Sequence, residues 1–321
     1  MGESYHGADR LDRIGYLFGH PISHSMSPLL HRTVYEALHL NWAQIPLEST
    51  DMDLFLRLID GHGEKFYGAS VTMPHKVAIM KHCDELTDEA RDVGACNTLF
   101  IRDDPELKRR ILVGTNTDVI GIRDAFYENV AYPEKVFHDR PALVVGGGGA
   151  ARSAIYALRT WLHSSHIYIV NRDEREVATV LTECARAGYG AALSHVSSVK
   201  EAEALPAPGA IISCIPDIAP RTEPERITRR IVQVILSKPQ KGAILEMCYH
   251  PNPFTTTARL AKTAGWQVIL GTEALIWQGL EQDRFWTGRD VHELPVKAVH
   301  AAIEKELARH QEKELDSVAR L

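Results

Sequence analysis

Two residues that follow apolar runs are suited to acid–base chemistry. Lys76 closes the segment SVTMPHK and Asp118 closes GTNTD, each after a run that predicts a β-strand. The ends of such strands are where α/β proteins bind ligands. A lysine exchanges a proton with an alcohol when its surroundings tune its pKa, and a carboxylate can orient the ammonium group. Taken alone, each residue is more typical of a solvated surface charge.

A glycine-rich segment lies between an apolar strand pattern and a helical pattern. In ALVVGGGGAARSA the spacing is G-x-G-x-x-A, directly after the strand. Glycines let the backbone turn tightly beside a pyrophosphate, which the N–H groups at a helix start can hold. The segment therefore predicts a dinucleotide-binding loop. The expected contacts are Gly146, Gly148, Gly149, Ala150 and Ala151.

The next predicted strand ends at Val170 and should deliver residues to the adenosine ribose. It is followed by NRDEREV, which places Asn171, Arg172 and Asp173 there. Arg172 could stack on adenine or pair with a 2′-phosphate, whereas Asp173 and Glu176 would repel that phosphate. The two carboxylates favour NAD, with NADP as the alternative. Charges of this kind are also common as solvated residues at a helix start.

Alternating strand and helix patterns must position these residues. Apolar runs at 14–18, 67–71, 97–101, 111–113, 142–145, 166–170, 210–215, 242–245 and 267–270 alternate with helical periodicity. This alternation favours a parallel α/β fold. The proline- and charge-rich stretch YPEKVFHDRP separates two halves. We expect an open α/β substrate-binding domain over 1–130, completed by helices over 271–321, and a Rossmann domain over 131–270.

Composition limits the function classes. The 321 residues carry 36 basic and 42 acidic side chains, a formal charge of -6, which gives no footprint for nucleic acid or an anionic membrane. Five scattered cysteines suggest neither disulfides nor a zinc site, and His24 and His31 are expected to be hydrogen-bonded loop residues, so no metal is expected. The polar start of the chain and the lack of a long apolar stretch predict a cytoplasmic protein.

Several motifs together resemble the shikimate/quinate dehydrogenase family. They occur in the family's order over most of the chain: GHPISHSMSPLLH, SVTMPHK, GACNT, GTNTDVIG, GGGGAA, EMCYHP and GTEALIWQG. The resemblance implies an oxidoreductase that acts on a small-molecule substrate, as a monomer or homodimer. It implies that Lys76 is the catalytic acid or base, paired with Asp118. It implies substrate contacts from Ser25, Ser27, Thr72, Asn97, Tyr249 and Gln278, and a cofactor contact near Gly271.

The sequence departs from the family pattern at informative positions. Ser70 and Glu246 replace an asparagine and an aspartate, and Glu273 begins a triplet that is usually G-M-L near the nicotinamide. These departures resemble the fungal-type quinate branch. A serine-to-threonine change in the carboxylate loop is associated with quinate preference, but Ser27 is retained, so shikimate stays open as a substrate.

The resemblance thus implies reversible, NAD-dependent oxidation of a ring hydroxyl, from quinate to 3-dehydroquinate or from shikimate to 3-dehydroshikimate. One alternative is an NADPH-dependent biosynthetic shikimate dehydrogenase. Another is a non-catalytic sensor of quinate or shikimate, although such a protein would be expected to lose the lysine or the aspartate. His75, beside Lys76, is expected to face solvent, and Cys96 and Cys248 are expected not to act as nucleophiles.

Overall fold

The computed structural model describes residues 10–106, 108–188, 190–250 and 252–318, with side chains as far as residue 309. The chain forms two compact units. Unit 1 contains the residues up to Thr117 and those from Gln278 onward, and unit 2 contains Asp118–Trp277. The sequence predicts the crossings between domains at 130 and 270. No helix in the described part of the chain is long and apolar enough to cross a membrane.

Unit 1 is built on a six-stranded sheet in the order β2-β1-β3-β5-β6-β4. Its strands are β1 (Arg13–Gly19), β2 (Trp42–Glu48), β3 (Phe66–Val71), β4 (Glu85–Leu86), β5 (Thr98–Asp104) and β6 (Arg109–Thr115). All six residues of β3 are buried, as an apolar central strand requires. Its helices include α1 (Ser27–Ala37), α2 (Met52–His62) and α3 (Asp88–Val93).

The sheet of unit 1 is mixed, which corrects the expected parallel arrangement. Strand β1 runs parallel to β2 and β3, but β5 runs antiparallel to both β3 and β6. The charged turn between β5 and β6 brings Asp104 opposite Arg109. A connection this short can only form a hairpin, because a parallel pair needs a crossover of a dozen or more residues.

Unit 2 contains a second six-stranded sheet in which every neighbouring pair is parallel. The order is β12-β11-β10-β7-β8-β9. Its strands are β7 (Ala142–Val145), β8 (Ile167–Val170), β9 (Leu193–His195), β10 (Ala210–Ser213), β11 (Ala243–Glu246) and β12 (Gln267–Leu270). The order reverses beside β7, whose neighbours are β8 and β10. In doubly wound sheets that switch point is where ligands bind.

Of the described residues in unit 2, those before Gly271 form seven helices, and the last four of these helices begin with a side-chain cap. They are α4 (Asp118–Asn129), α5 (Pro133–Val136), α6 (Gly149–Thr160), α7 (Glu174–Arg186), α8 (Val199–Ala204), α9 (Glu223–Ser237) and α10 (Thr256–Thr263). Asp173 caps α7, and Thr222 with Glu225 forms a capping box on α9. The fully buried side chains of Phe126, Ile155 and Leu158 join α4 and α6 in one core.

Two long helices complete the chain. Helix α11 (Gly271–Thr287) belongs to unit 2 as far as Trp277 and to unit 1 from Gln278 onward. Helix α12 (Val296–Val318) packs against α1 in unit 1. On α11, the buried Trp286 donates its indole N–H to the carbonyl of Leu99 at 2.9 Å. This bond fixes the second half of α11 against strand β5.

Candidate active site

Two of the motif loops lie side by side in unit 1. The N–H of Thr72 donates to the carbonyl of Phe18 at 2.9 Å, and the N–H of His20 donates to the carbonyl of Met73 at 2.8 Å. These bonds extend the pairing of β1 with β3 past the ends of both strands. The serine loop and the lysine loop, separated in sequence by more than one helix, therefore leave the sheet at the same edge.

The lysine loop is also tied to the motifs GACNT and GTNTD. The N–H of Cys96 donates to the carbonyl of Lys76 at 2.7 Å, and the N–H of Asn97 donates to the carbonyl of Thr115 at 3.1 Å. The side chain of Lys76 is half-buried. A hydrogen bond from a second predicted motif thus holds the backbone of Lys76, the predicted catalytic lysine. The position from which its side chain extends is therefore fixed.

Asn97 and Gln278, both predicted substrate contacts, meet in unit 1. Asn97 is 3 % exposed, and its Nδ2 donates to Gln278 Oε1 at 3.3 Å and to Thr117 Oγ1 at 3.1 Å. Its Oδ1 accepts from the N–H of Thr117 at 2.7 Å. The first half of the chain and helix α11 therefore contribute neighbouring polar groups, as the motifs implied.

The serine loop contains one half-buried and one buried serine. Ser25 Oγ accepts from the N–H of Ser27 at 3.3 Å, and Ser27, 4 % exposed, donates its hydroxyl proton to Gln44 Oε1 at 2.9 Å. Gln44 lies on strand β2, which the sequence patterns did not predict. The hydrogen-bond partner of Ser27 was therefore missed.

One predicted histidine environment was wrong, and a second was right in its hydrogen bonding but wrong in its position. His75 does not face solvent: it is 5 % exposed, its ring stacks on Phe18, and its Nε2 lies 3.0 Å from the carbonyl of Ser49. The alternation with Lys76 puts the imidazole on the apolar side of the loop. His31 lies in helix α1 and not in a loop, fully buried, with Nδ1 2.9 Å from Asp283 Oδ2.

The surroundings of the two motif cysteines disfavour ionisation of their thiols. A hydrogen bond with Cys83, followed by burial, raises the pKa of the Cys96 thiol well above its ordinary value. Burial raises the pKa of Cys248. Because the thiolate is the reactive form, neither side chain is activated.

In unit 2, Asp118 and Tyr249 are electrostatically linked. Asp118 is the first residue of α4, and Tyr249 follows strand β11. Burial raises the pKa of Tyr249 to about 12, and the negative charge of Asp118 adds to the effect. Tyr249 is therefore a neutral hydrogen-bonding phenol at physiological pH, close enough to Asp118 to sense its charge.

Glu246, at the end of β11, is a nearly buried carboxyl group. It is 1 % exposed, and burial raises its pKa to about 7. Its oxygens accept from the Thr255 hydroxyl at 3.0 Å and from the N–H of Cys248 at 3.3 Å. The residue that departs from the family's aspartate thus anchors the start of the segment that carries Tyr249.

The glycine-rich loop lies at the switch point of the unit 2 sheet. Gly146 has φ +128°, a conformation that favours glycine, and its N–H donates to the carbonyl of Val170 at 2.9 Å. A Cβ at Gly148 or Gly149 would meet nothing within 4 Å, so open space lies over the start of α6. A cleft of about 230 Å³ is lined by Gly146–Gly148, by the ends of β8 and β10, and by helix α9. The shape and the free helix start fit a pyrophosphate.

The residues that follow β8 form one side of this cleft. They are the residues predicted to contact the adenosine ribose. Asn171 Nδ2 donates to Glu176 Oε2 at 2.6 Å, and both residues line the cleft together with Arg172. Arg172 Nη1 donates to Glu225 Oε1 on α9 at 2.5 Å. Asp173 instead accepts from the N–H of Arg175 at 2.8 Å as the cap of α7.

Glu225 is a site residue that sequence reasoning missed. Its Oε2 accepts from the N–H groups of Arg221 and Thr222 at 2.8 and 2.9 Å. These backbone bonds, and then Arg172, lower the pKa of Glu225 to about 2. The capping-box spacing from Thr222 could have identified the helix start, but nothing local indicated that its carboxylate also pairs with Arg172.

Gly271 lies where α11 begins, against the end of β11. A Cβ at this position would lie 2.4 Å from the Met247 carbonyl oxygen and 2.6 Å from that of Glu246. Both contacts are backbone atoms and cannot move aside. The glycine therefore permits a close approach of the helix to the segment that bears Tyr249.

Comparison with known proteins gives a consistent result. The chain is 48% identical over 321 residues to a quinate dehydrogenase of Emericella nidulans, covering 95% of this chain and 97% of that protein. The chain belongs to the shikimate/quinate dehydrogenase family. A family model described as the shikimate dehydrogenase substrate binding domain matches residues 17–99. The implied family and its fungal-type branch are thus confirmed.

Other known proteins are similar to this chain over most of its length. The pentafunctional AROM polypeptide of Schizosaccharomyces pombe is 36% identical over 275 residues, which is 85% of this chain but 17% of that polypeptide. The structure of dehydroquinate dehydratase and shikimate dehydrogenase from S. pombe AroM matches with a TM-score of 0.76 and 32% identity, over 91% of this chain and 52% of that one. A shikimate dehydrogenase in complex with NADP+ matches with a TM-score of 0.71 and 25% identity, over 93% and 96% of the two chains. These likenesses confirm the two-unit α/β fold.

Proposed function

We propose that this chain is an NAD-dependent quinate/shikimate dehydrogenase. It oxidises one ring hydroxyl reversibly, from quinate to 3-dehydroquinate or from shikimate to 3-dehydroshikimate. The observation that carries the reaction class is the 48% identity to a quinate dehydrogenase along nearly all of both chains. It is supported by the presence of Lys76 and Asp118 in the two motifs suited to acid–base chemistry.

Each unit has a proposed task. Unit 1 holds the substrate through Ser25, Ser27, Thr72, Asn97 and Gln278, and it provides Lys76. Unit 2 provides Asp118 and Tyr249, and its glycine-rich loop holds the pyrophosphate of the dinucleotide. In this proposal unit 1 is the substrate-binding domain and unit 2 is the Rossmann domain.

The chemistry requires a proton acceptor at the reacting hydroxyl. When bound, NAD supplies the hydride acceptor. The amine of Lys76 takes the hydroxyl proton in the oxidising direction and returns it in the reducing direction. The carboxylate of Asp118 is proposed to pair with the lysine and orient it, and the neutral phenol of Tyr249 donates a hydrogen bond to the substrate. A lysine that is half-buried and held through its backbone is suited to this work because its position is set before the substrate binds.

The preference for NAD rests on Arg172. A 2′-phosphate is best recognised by an arginine whose donors are available for two parallel hydrogen bonds. Here one Arg172 nitrogen is already paired with Glu225 at 2.5 Å, and Glu176 adds a second negative charge to the same cleft. Asn171 and Glu176, 2.6 Å apart, offer hydrogen-bond groups that suit a ribose hydroxyl.

A cofactor and substrate matrix tests the proposal. The appearance of reduced cofactor is followed with each pairing of quinate or shikimate with NAD or NADP. We expect turnover with NAD and at least one of the two acids. Turnover restricted to NADP with shikimate would support the biosynthetic alternative, and no turnover in any pairing would support a non-catalytic sensor.

Lys76→Ala tests the acid–base role. We expect kcat to fall by about 10²- to 10⁴-fold, the usual effect of losing a positioned acid or base, with little change in cofactor binding. Lys81→Ala is the matched control, because Lys81 is an exposed lysine in the 3-10 turn that follows the same loop. Near-normal turnover of the Lys76 variant would refute the proposed mechanism.

A further inference from the structure

Two ionisable side chains are paired in the core of unit 1. His31 on α1 and Asp283 on α11 are both 0 % exposed, and His31 Nδ1 lies 2.9 Å from Asp283 Oδ2. The other ring nitrogen, Nε2, lies 3.1 Å from Gln282 Oε1. Replacing a buried pair of this kind by apolar residues often leaves stability unchanged or raises it, so stability alone does not explain the pair. Its hydrogen bonds connect it to the side chains proposed to hold the substrate.

The orientation of the Asn97 side chain is fixed by a backbone group. The N–H of Thr117 lies 2.7 Å from Asn97 Oδ1, so this atom must be the amide oxygen, an acceptor. Thr98 Oγ1 also lies 2.7 Å from Asn97 Oδ1. Two oxygens this close need a proton between them, and only the Thr98 hydroxyl can supply it. Thr98 therefore donates its proton to Asn97.

The orientation of Gln282 follows from that of Thr98. Because the Thr98 proton is given to Asn97, the Gln282 atom 2.8 Å from Thr98 Oγ1 must be the donor, Nε2. The amide oxygen of Gln282 is then the atom that faces His31. An amide oxygen has no proton to donate, so His31 Nε2 must carry the proton of this hydrogen bond.

A second proton lies between His31 and Asp283. At 2.9 Å, a bare ring nitrogen and a bare carboxylate oxygen would repel each other. The pair therefore holds two protons, one shared between the two side chains and one on His31 Nε2, and it has no net charge. Loss of the Nε2 proton would set the lone pairs of His31 and Gln282 against each other.

The line of hydrogen bonds also reaches Gln278, the second amide proposed to contact the substrate. Asn97 Nδ2 is a donor because the other end of that amide is the oxygen, and it lies 3.3 Å from Gln278 Oε1. The Gln278 oxygen also accepts from Thr117 Oγ1 at 3.2 Å. The amide nitrogen of Gln278 is therefore turned away from Asn97, and a substrate atom that it binds must be an acceptor.

We infer that His31, Asp283 and Gln282 are positioning residues for the substrate. The proton on His31 fixes Gln282, and Thr98 carries that orientation to the two amides proposed to bind the substrate. If Gln282 turned over, its oxygen would take the Thr98 proton and the first of these amides would lose a donor. A less firmly held amide must be ordered when the substrate binds, which lowers the affinity. This inference rests on the proposed function and adds to it residues that touch neither substrate nor cofactor.

Thr98→Val tests the line at its centre, because valine has the shape of threonine without the hydroxyl. Thr98→Ser keeps the hydroxyl and is the matched control. We expect the valine variant to raise KM for quinate or shikimate about tenfold, the scale of one hydrogen bond, with kcat changed less than about twofold. The serine variant should stay within about twofold of wild type, and KM for the cofactor should not change in either. Wild-type KM in the valine variant, or an equal loss in the serine variant, would overturn the inference.

A double-mutant cycle separates a connected line from two independent contributions to structure. Gln282→Met keeps the length of the side chain and removes its amide, so it cuts the same line and should also raise the substrate KM about tenfold. The variant that combines it with Thr98→Val should show a rise of about tenfold, whereas independent effects would multiply to about a hundredfold and contradict the inference. The melting temperature of the holoenzyme checks the fold, and the Thr98 comparison decides the question if Gln282→Met does not fold.

The proton on His31 can be observed directly by NMR of the full chain labelled with ¹⁵N-histidine. The ring is identified by cross peaks to the indole of Trp286, whose ring centroid lies 4.7 Å away. We expect a protonated Nε2 at neutral pH. An Nε2 without a proton would overturn the inferred direction of the line.

Equilibrium binding of quinate and shikimate, measured by calorimetry, repeats the Thr98 comparison without turnover. Suppose that the protein lacks dehydrogenase activity but Thr98→Val weakens binding about tenfold and Thr98→Ser does not. The proposed function would then be refuted and this inference kept. Binding of neither acid by the wild type would overturn the inference.

Discussion

Glu246→Gln should change how the stability of the protein depends on pH. Burial raises the pKa of Glu246 from 4.5 to about 7 in the folded protein, and the carboxyl group is 1 % exposed. Between these two pH values the unfolded chain has lost the proton and the folded chain has kept it. The free energy of unfolding therefore falls as pH rises through this window, by about 1.4 kcal/mol for each pH unit.

The whole window corresponds to about 3 kcal/mol of stability, present below pH 4.5 and lost by the time the pH exceeds about 7. Glutamine cannot ionise, so the variant should lack this decline. The assay is urea unfolding followed by circular dichroism at a series of pH values from about 4.5 to 8, with the difference between wild type and variant plotted against pH. All other titrating groups are shared, so their contributions cancel.

The expected difference changes by about 3 kcal/mol across the window, with the variant gaining relative to the wild type as pH rises. Glu203→Gln, at an exposed position on α8, controls for the loss of one carboxylate from unit 2. Parallel curves for wild type and Glu246→Gln would refute the reasoning, because they would mean that the carboxyl group releases its proton at the same pH in both states.

Two further outcomes are expected. Glu225→Gln keeps an oxygen that accepts the N–H bonds at the start of α9, but it removes the negative charge that pairs with Arg172. The ratio of kcat/KM for NADP to kcat/KM for NAD should therefore rise about fivefold. An unchanged ratio would argue against Arg172 as the residue that discriminates between the two cofactors. Gly271→Ala should lower the free energy of unfolding by about 1–3 kcal/mol, because its Cβ would press on the Met247 carbonyl; Gly61→Ala, where a Cβ meets nothing within 4 Å, should be neutral or stabilising in the same melting experiment.

Five of the six strands of the unit 2 sheet were predicted from the sequence, and β9 (Leu193–His195), which is only partly buried, was missed. The bounds of β7 (Ala142–Val145) and β12 (Gln267–Leu270) agree with the apolar runs. Buried parallel strands have almost continuous apolar sequences, and the strands of this sheet are separated by helices that return the chain to the same edge. One physical signal, burial on both faces, therefore identified these five strands and their direction, and β9 lacks that signal.

Unit 1 was harder to predict because its strands differ in burial pattern and in direction. Strand β2 alternates buried and exposed residues only partly and contains Pro46, so its pattern is weak. Strand β5 was found, but its direction depends on the length of the turn that follows and not on its own residues. Apolar periodicity alone carries no information on direction, which explains why the mixed sheet was missed.

In the candidate site too, some features could be predicted from the sequence and others could not. Motif positions such as Lys76, Asn97 and Gly146 could be located from short local patterns. The partners that give those positions their chemistry could not. Glu225 lies more than fifty residues from Arg172 in the sequence. His75 is buried by contacts with Phe18 and Ser49, but its position next to the charged Lys76 suggests an exposed residue.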